Sequence, residues 1–129
     1  MTSKKGKIFV ADDDEDILDI ISMILQTAQY DVQASTNAYD IFESTDNLPD
    51  LILLDIWMSG LDGREVCRKL KSSPLTKEIP LFFISANSGI EEITRECQAD
   101  GFIAKPFEMD YFLGKVRTIL AEANAPSIS

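Results

Sequence analysis

Runs of consecutive apolar residues alternate along this chain with segments in which apolar residues recur every three or four positions. Short apolar runs predict β-strands, and the wider spacing predicts amphipathic helices. The alternation occurs five times, which is the order expected for a parallel α/β sheet with helical crossovers. The predicted strands are residues 7–11, 31–35, 51–54, 80–84 and 101–104.

The composition of each run predicts the position of its strand in the sheet. The sequences IFVA, LILL and LFFI are continuously apolar, which is typical of strands buried on both faces. DVQAS alternates Val32 and Ala34 with polar residues, and GFIA is short, so both suit the edges of a sheet. These positions are compatible with a doubly wound sheet of strand order 2-1-3-4-5 that carries five helices.

The first and last helices have clear apolar faces. Asp14 is suited to be the N-cap of the first helix. The face of the first helix is predicted to hold Ile17, Ile21, Ile24 and Ala28, and that of the last to hold Met109, Phe112, Leu113, Val116, Leu120 and Ala123.

The helix predicted near residues 89–98 has a much thinner apolar stripe. Only Ile90, Ile93 and Cys97 form it, among several charged residues. A thin stripe buries little apolar surface, so we expect this helix to dock weakly and to be able to move.

Composition narrows the possible functions. The 129 residues predict one domain, with a core at about residues 6–122 and loose termini at residues 1–6 and 124–129. A net charge of −10 argues against direct nucleic-acid binding, because phosphates would be repelled. No apolar run is long enough for a membrane span, and two widely spaced cysteines suit a cytoplasmic protein. The chain has no histidine, so any phosphohistidine must belong to another molecule.

Polar residues follow four of the five predicted strands. Asp12 and Asp13 follow the first strand, Asp55 the third, Ser85 the fourth and Lys105 the fifth. In open parallel sheets, ligands bind outside the carboxyl ends of the strands, so these side chains are expected to converge. Clustered carboxylates raise one another's pKa unless a cation lies among them, and Mg²⁺ prefers oxygen ligands. The pattern predicts a magnesium site.

The ordered set resembles the receiver domain of two-component response regulators over about residues 6–122. The motifs that carry the resemblance are the acidic pair Asp12-Asp13, Asp55 in LILLDIWMSGLDG, Ser85 in LFFISA and Lys105-Pro106 in GFIAKPF. The resemblance implies a flavodoxin-like α/β fold and a single receiver domain over residues 1–129. It also implies that Asp55 is the phospho-acceptor.

The resemblance further implies a set of metal ligands. Asp13 and Asp55 would bind Mg²⁺ directly, together with the backbone carbonyl of Trp57, and Asp12 would act through metal-bound water.

Other roles implied by the resemblance concern the phosphoryl group and the response to it. Lys105 would pair with the phosphoryl oxygens, and its peptide bond to Pro106 would be cis. Ser85 would donate a hydrogen bond to the phosphoryl group. Phe102, three residues before Lys105, would be the switch aromatic.

The expected function is therefore that of a phosphorylation-controlled binding module. A sensor histidine kinase or a histidine phosphotransfer protein would donate the phosphoryl group. Phosphorylation would change a protein-binding face formed by helix 4 (predicted near residues 89–98), strand 5 (residues 101–104) and helix 5 (the last helix). A downstream protein of unknown identity would recognise this face. The domain would assist its own phosphorylation and dephosphorylation without being an enzyme that acts on other substrates.

Two other functions remain open from the sequence. A small Mg²⁺-dependent phosphatase would use Asp12 as its nucleophile, and a receiver-like scaffold would never be phosphorylated. The sequence also does not decide between a stand-alone protein and a domain of a longer protein such as a hybrid kinase.

Overall fold

A computed structural model describes residues 6–43, 46–58 and 60–123 of the chain. The predicted loose termini, Gly6 apart, lie outside these residues. The strands are β1 (Lys7–Ala11), β2 (Asp31–Ser35), β3 (Leu51–Asp55), β4 (Trp57–Met58), β5 (Leu61–Asp62), β6 (Leu81–Ser85) and β7 (Gly101–Ala104). The helices are α1 (Glu15–Thr27), a 3₁₀ helix (Ala38–Glu43), α2 (Gly63–Ser72), α3 (Ile90–Glu96) and α4 (Met109–Ala123).

Five of the strands form one parallel sheet in the order β2-β1-β3-β6-β7. Counted along the chain among these five strands, the order is 2-1-3-4-5, so the predicted fold is confirmed. The five predicted helices correspond to four α-helices and the 3₁₀ helix within the described part of the chain. The strands predicted to be central, β1, β3 and β6, are almost fully buried.

Apolar layers cover both faces of the sheet, as a doubly wound fold requires. One layer packs α1 and α4 against the sheet, and the other packs the 3₁₀ helix, α2 and α3 against the opposite face. The largest fully buried side chains include Phe9, Phe83 and Phe112. The core thus holds the strands rigidly and presents their carboxyl ends at one edge.

The faces of the helices differ in detail from the prediction. In α1 the fully buried residues are Leu18, Ile21 and Leu25, while the other predicted face residues are only partly buried. The centre of the buried stripe therefore lies one position further along the helix. Met109 and Ala123, the first and last residues of α4, were predicted on its apolar face but are exposed.

The helix predicted near residues 89–98 is short. It spans Ile90–Glu96, and its N-cap Gly89 makes no side-chain capping bond. Ile90 and Thr94 are its buried residues, and Thr94 satisfies its hydroxyl by donating to the Ile90 carbonyl at 2.6 Å. The predicted stripe is present, since Ile90 and Cys97 are buried and Ile93 packs against the same apolar layer. The ability of this helix to move stays a prediction.

Candidate functional site

The carboxyl ends of the central strands bring three carboxylates together. Asp12 and Asp13 follow β1, and Asp55 is the last residue of β3, which extends one residue beyond its predicted end. One carboxylate oxygen from each residue lies within 4.8 Å of the others. Three oxygen donors at this spacing are the chemistry that a hard divalent cation requires.

Asp12 is the innermost of the three acids. It is 2% exposed, and its Oδ2 accepts a hydrogen bond from Nζ of Lys105 at 2.9 Å. Its Oδ1 accepts from the backbone N–H of Asp14 at 3.0 Å, at the start of α1. The ammonium group of Lys105 therefore lies inside the acidic cluster, where it offsets part of the repulsion.

The segment after β7 places Lys105. Its backbone N–H donates to the carbonyl of Ser85 at 3.0 Å, which continues the pairing of β7 with β6. The peptide bond between Lys105 and Pro106 is cis.

Asp55 is the carboxylate most affected by this environment. Burial, and after it the charge of Asp12, raises the pKa of Asp55 to about 6. The charge of Asp13 adds to the rise in this pKa, while Lys105 and the backbone N–H of Trp57 oppose it. A carboxylate whose charge is disfavoured in this way would gain from a bound cation.

Ser85 is buried at the end of β6, also one residue beyond the predicted strand end. Its Oγ accepts a hydrogen bond from the backbone N–H of Asn87 at 3.0 Å, and the Asn87 side chain accepts from Gly89 N–H at 2.7 Å. The hydroxyl oxygen is thereby held by the loop that leads into α3, and its own proton can be donated elsewhere.

Phe102 lies on β7 opposite Phe83 in the register of the sheet. It is partly buried against the apolar layer that includes Ile90 and Cys97. This position places it beside α3, and its role as a switch aromatic stays a prediction.

The segment that follows Asp55 forms a short antiparallel ribbon, which the sequence analysis did not predict. In the pairing of β4 with β5, Trp57 lies opposite Asp62. Gly63 closes the ribbon, since its N–H donates to the Ile56 carbonyl at 2.7 Å. A Cβ added to Gly63 would overlap the carbonyl oxygen of Asp55, so only glycine fits there.

Arg64, another residue that sequence reasoning missed, covers the Trp57 ring. Its Cζ lies 4.4 Å from the ring centroid, and its guanidinium forms a salt bridge with Asp62 at 2.8 Å. The sequence signal was limited to the Asp62-Gly63 pair, a turn and helix-start motif that does not predict stacking.

Comparison with known proteins decides the family. The family model described as response regulator receiver domain matches residues 8–117 of this chain. The chain belongs to the response regulator receiver domain family. Response regulators are signalling proteins, and their receiver domains are phosphorylated by histidine kinases and relay the signal to downstream effectors.

The receiver domain resembles parts of larger curated proteins. It is 33% identical over 117 residues to the DNA-binding dual master transcriptional regulator RpaA of Synechocystis, a match that covers 88% of this chain and 48% of that protein. This chain thus spans about half or less of the length of the curated relatives that it matches.

Solved structures of receiver domains match almost from end to end. The signal receiver domain of a signal transduction histidine kinase from Syntrophus aciditrophicus is 26% identical with a TM-score of 0.82, and the match covers 96% of this chain and 97% of that one. A CheY-like receiver domain protein from Methanospirillum hungatei is 27% identical with a TM-score of 0.82, covering 94% and 97%. Within residues 6–43, 46–58 and 60–123, no helix is both long and apolar enough to cross a membrane.

Proposed function

We propose that this receiver domain accepts a phosphoryl group on Asp55 from a phosphohistidine in a sensor histidine kinase or a histidine phosphotransfer protein, in a reaction that depends on Mg²⁺. The observation that carries the proposal is the approach of the Asp12, Asp13 and Asp55 carboxylates to within 4.8 Å, with Nζ of Lys105 bonded to Asp12. The 129 residues contain no histidine, so the donor residue lies outside them.

The residues present fit a magnesium ion. Asp13, Asp55 and the backbone carbonyl of Trp57 would hold it directly, and Asp12 would act through bound water. When bound, the ion would supply positive charge that offsets the carboxylates and the oxygens of the transferred group.

The protein groups have complementary roles in the transfer. The Asp55 carboxylate attacks phosphorus, and the P–N bond to the donor imidazole breaks with its electron pair leaving on nitrogen. Lys105 has three N–H donors, so it can keep its bond to Asp12 and also donate to a phosphoryl oxygen. Ser85 can donate its hydroxyl proton to another oxygen of the phosphoryl group, since its Oγ only accepts from Asn87.

The output of the reaction would be a change of the face that α3, β7 and α4 form, which corresponds to the predicted helix 4, strand 5 and helix 5. Ser85 is linked through Asn87 to the start of α3, and Phe102 packs beside the same helix. Phosphorylation adds roughly −1.5 to −2 charge at this edge of the sheet. A short helix without a side-chain cap, linked to that charge through Ser85 and Asn87, is suited to shift and to alter binding of a downstream protein.

The proposed location of the protein is the cytoplasm. Buried free thiols at Cys67 and Cys97 suit a reducing compartment and support a cytoplasmic location.

Asp12 is less suited than Asp55 to be a phosphatase nucleophile, because it is 2% exposed and both of its carboxylate oxygens already accept hydrogen bonds.

Phosphorylation by a small donor tests the proposal. Acetyl phosphate with Mg²⁺ should add one phosphoryl group, detectable as a mass increase that maps to Asp55. Omission of Mg²⁺ or the substitution Asp55→Asn should abolish it, whereas Asp19→Asn, which removes an exposed carboxylate from α1, should not. Labelling that persists at the wild-type rate in Asp55→Asn, or that maps to Asp12, would refute the assignment.

A further inference from the structure

Three side chains form a stack on the ribbon that follows Asp55. Trp57 and Asp62 are opposite one another in the antiparallel register, so their side chains lie on the same side of the ribbon. The Asp62 carboxylate binds the Arg64 guanidinium as a fork, with Nε to Oδ1 at 3.0 Å and Nη2 to Oδ2 at 2.8 Å. The guanidinium then lies over the Trp57 ring at 4.4 Å.

The stack holds the Trp57 ring in place at an exposed position. Trp57 is 48% exposed, so core packing alone does not hold it. Bidentate arginine–carboxylate pairs are directional, and a guanidinium within about 6 Å of an indole centroid is attracted to it. Asp62 is itself fixed, because its Oδ1 also accepts from the Arg64 backbone N–H as the N-cap of α2.

The ribbon is attached to the acceptor at both ends. Trp57 follows two residues after Asp55, and its backbone N–H lowers the pKa of the Asp55 carboxyl, so the two groups are close. At the other end, Gly63 lies against the Asp55 carbonyl oxygen and bonds to the Ile56 carbonyl. A carbonyl in such a short segment points in a direction set by the backbone around it, so a contact that fixes the Trp57 side chain also restricts its carbonyl.

We propose that Arg64, oriented by Asp62, is a positioning residue for the metal site: by stacking on Trp57 it holds the backbone carbonyl of Trp57 where that carbonyl can bind a divalent cation. The inference rests on the proposed function, in which this carbonyl is a direct ligand. Groups that orient metal ligands typically change metal affinity by about 10–100-fold when removed.

Simple electrostatics predicts the opposite effect. Arg64 is a cation near an acidic cation site, so its removal should reduce repulsion and tighten Mg²⁺ binding by about twofold under ordinary salt. If Arg64 positions a ligand, its removal should weaken binding instead. The sign of the change therefore separates the two explanations.

Titration with MgCl₂, followed by the fluorescence of Trp57, measures the affinity in the whole chain. Trp57 is the sole tryptophan, so the signal is specific. Arg64→Ala should weaken Mg²⁺ binding about tenfold. Arg64→Lys should lose most of the same affinity, because lysine keeps the charge but lacks the planar fork. Arg68→Ala, the matched control, removes an exposed cation one turn further along α2 and should change the affinity no more than twofold.

The Trp57→Ala variant tests whether Arg64 changes the Mg²⁺ affinity through the Trp57 ring. Trp57→Ala keeps the backbone carbonyl but removes the ring, so adding Arg64→Ala to it should cause no further loss. Mg²⁺-induced stabilisation against urea replaces fluorescence as the readout in this background, and also reports whether each variant folds. An additional tenfold loss would show that Arg64 acts by another route and would overturn the proposal.

The possible outcomes separate this inference from the function on which it rests. Unchanged or tighter Mg²⁺ binding in Arg64→Ala, with a normal response in wild type and a lost response in Asp13→Asn, would overturn only the positioning role. No Mg²⁺ response in wild type, or an undiminished one in Asp13→Asn, would overturn the proposed metal site and this inference with it.

Discussion

Asp55→Asn should stabilise the metal-free protein at neutral and alkaline pH. The pKa of the Asp55 carboxyl rises from 3.8 to about 6 on folding, chiefly through burial. The folded protein therefore binds this proton more tightly than the unfolded chain does. This tighter proton binding stabilises the folded protein fully below about pH 4, and the stabilisation is lost as the pH rises through about 6.

The size of the effect follows from the shift in pKa. A shift from 3.8 to about 6 corresponds to at most about 3 kcal/mol of the free energy of unfolding. Asp55 is only partly buried, so screening by water reduces this to about 1–2 kcal/mol. Asparagine has nearly the same shape and no charge to lose, so Asp55→Asn should be more stable than wild type by this amount at pH 8 and nearly equal to it at pH 4.

Urea unfolding in the presence of a chelator, repeated between pH 4 and pH 8, measures the difference. Added Mg²⁺ should close the gap at pH 8, because the ion stabilises the wild-type carboxylate cluster. Asp19→Asn, which removes the same charge at an exposed position, should change the free energy of unfolding by less than about 0.5 kcal/mol. Equal stability of Asp55→Asn and wild type at pH 8, or a gap of the same size at pH 4, would refute the reasoning.

Three further predictions concern other parts of the chain. Burial raises the pKa of Cys67 to about 12 and also raises the pKa of Cys97, so iodoacetamide should label both thiols at pH 7 only after unfolding; equal labelling rates with and without urea would contradict this. Gly63→Ala should lower the free energy of unfolding by about 1–3 kcal/mol in urea titrations, because its Cβ would clash with the backbone carbonyl of Asp55, whereas Gly114→Ala, where a Cβ meets open space in α4, should raise it slightly. Trp57→Ala should shorten the phosphoryl lifetime several-fold after removal of acetyl phosphate, since its broad ring hinders the attacking water; an unchanged or longer lifetime would exclude this shielding.

The sheet order could be predicted because each strand carries its environment in its own composition. A strand that is buried on both faces must be apolar at every position, as LILL and LFFI are, whereas the edge strand DVQAS can alternate. In the structure, β3 and β6 are buried at nearly every position, whereas every residue of β2 is exposed or only partly buried. The carboxyl ends of parallel strands meet at one edge, so the convergence of Asp12, Asp13 and Asp55 also followed from the chain order.

Contacts between side chains from separate elements required the tertiary structure. The bond from Lys105 to Asp12 joins residues 93 positions apart, and the sequence does not specify which acid takes the ammonium group. The stack of Arg64 on Trp57 depends on a two-residue ribbon, which is too short to leave a periodic pattern. The rise in the pKa of Asp55 likewise depends on how deeply the surrounding residues bury it, a property of the packed molecule.

The helices lie between these two cases. Their existence follows from apolar spacing, but the buried face of α1 is centred on Leu18, Ile21 and Leu25, because packing against the rest of the molecule decides which neighbouring apolar residues face inward. Local sequence thus determined the elements, their order and the residues at the strand ends. Only packing decided which of those residues touch, because that depends on distances set by the whole core.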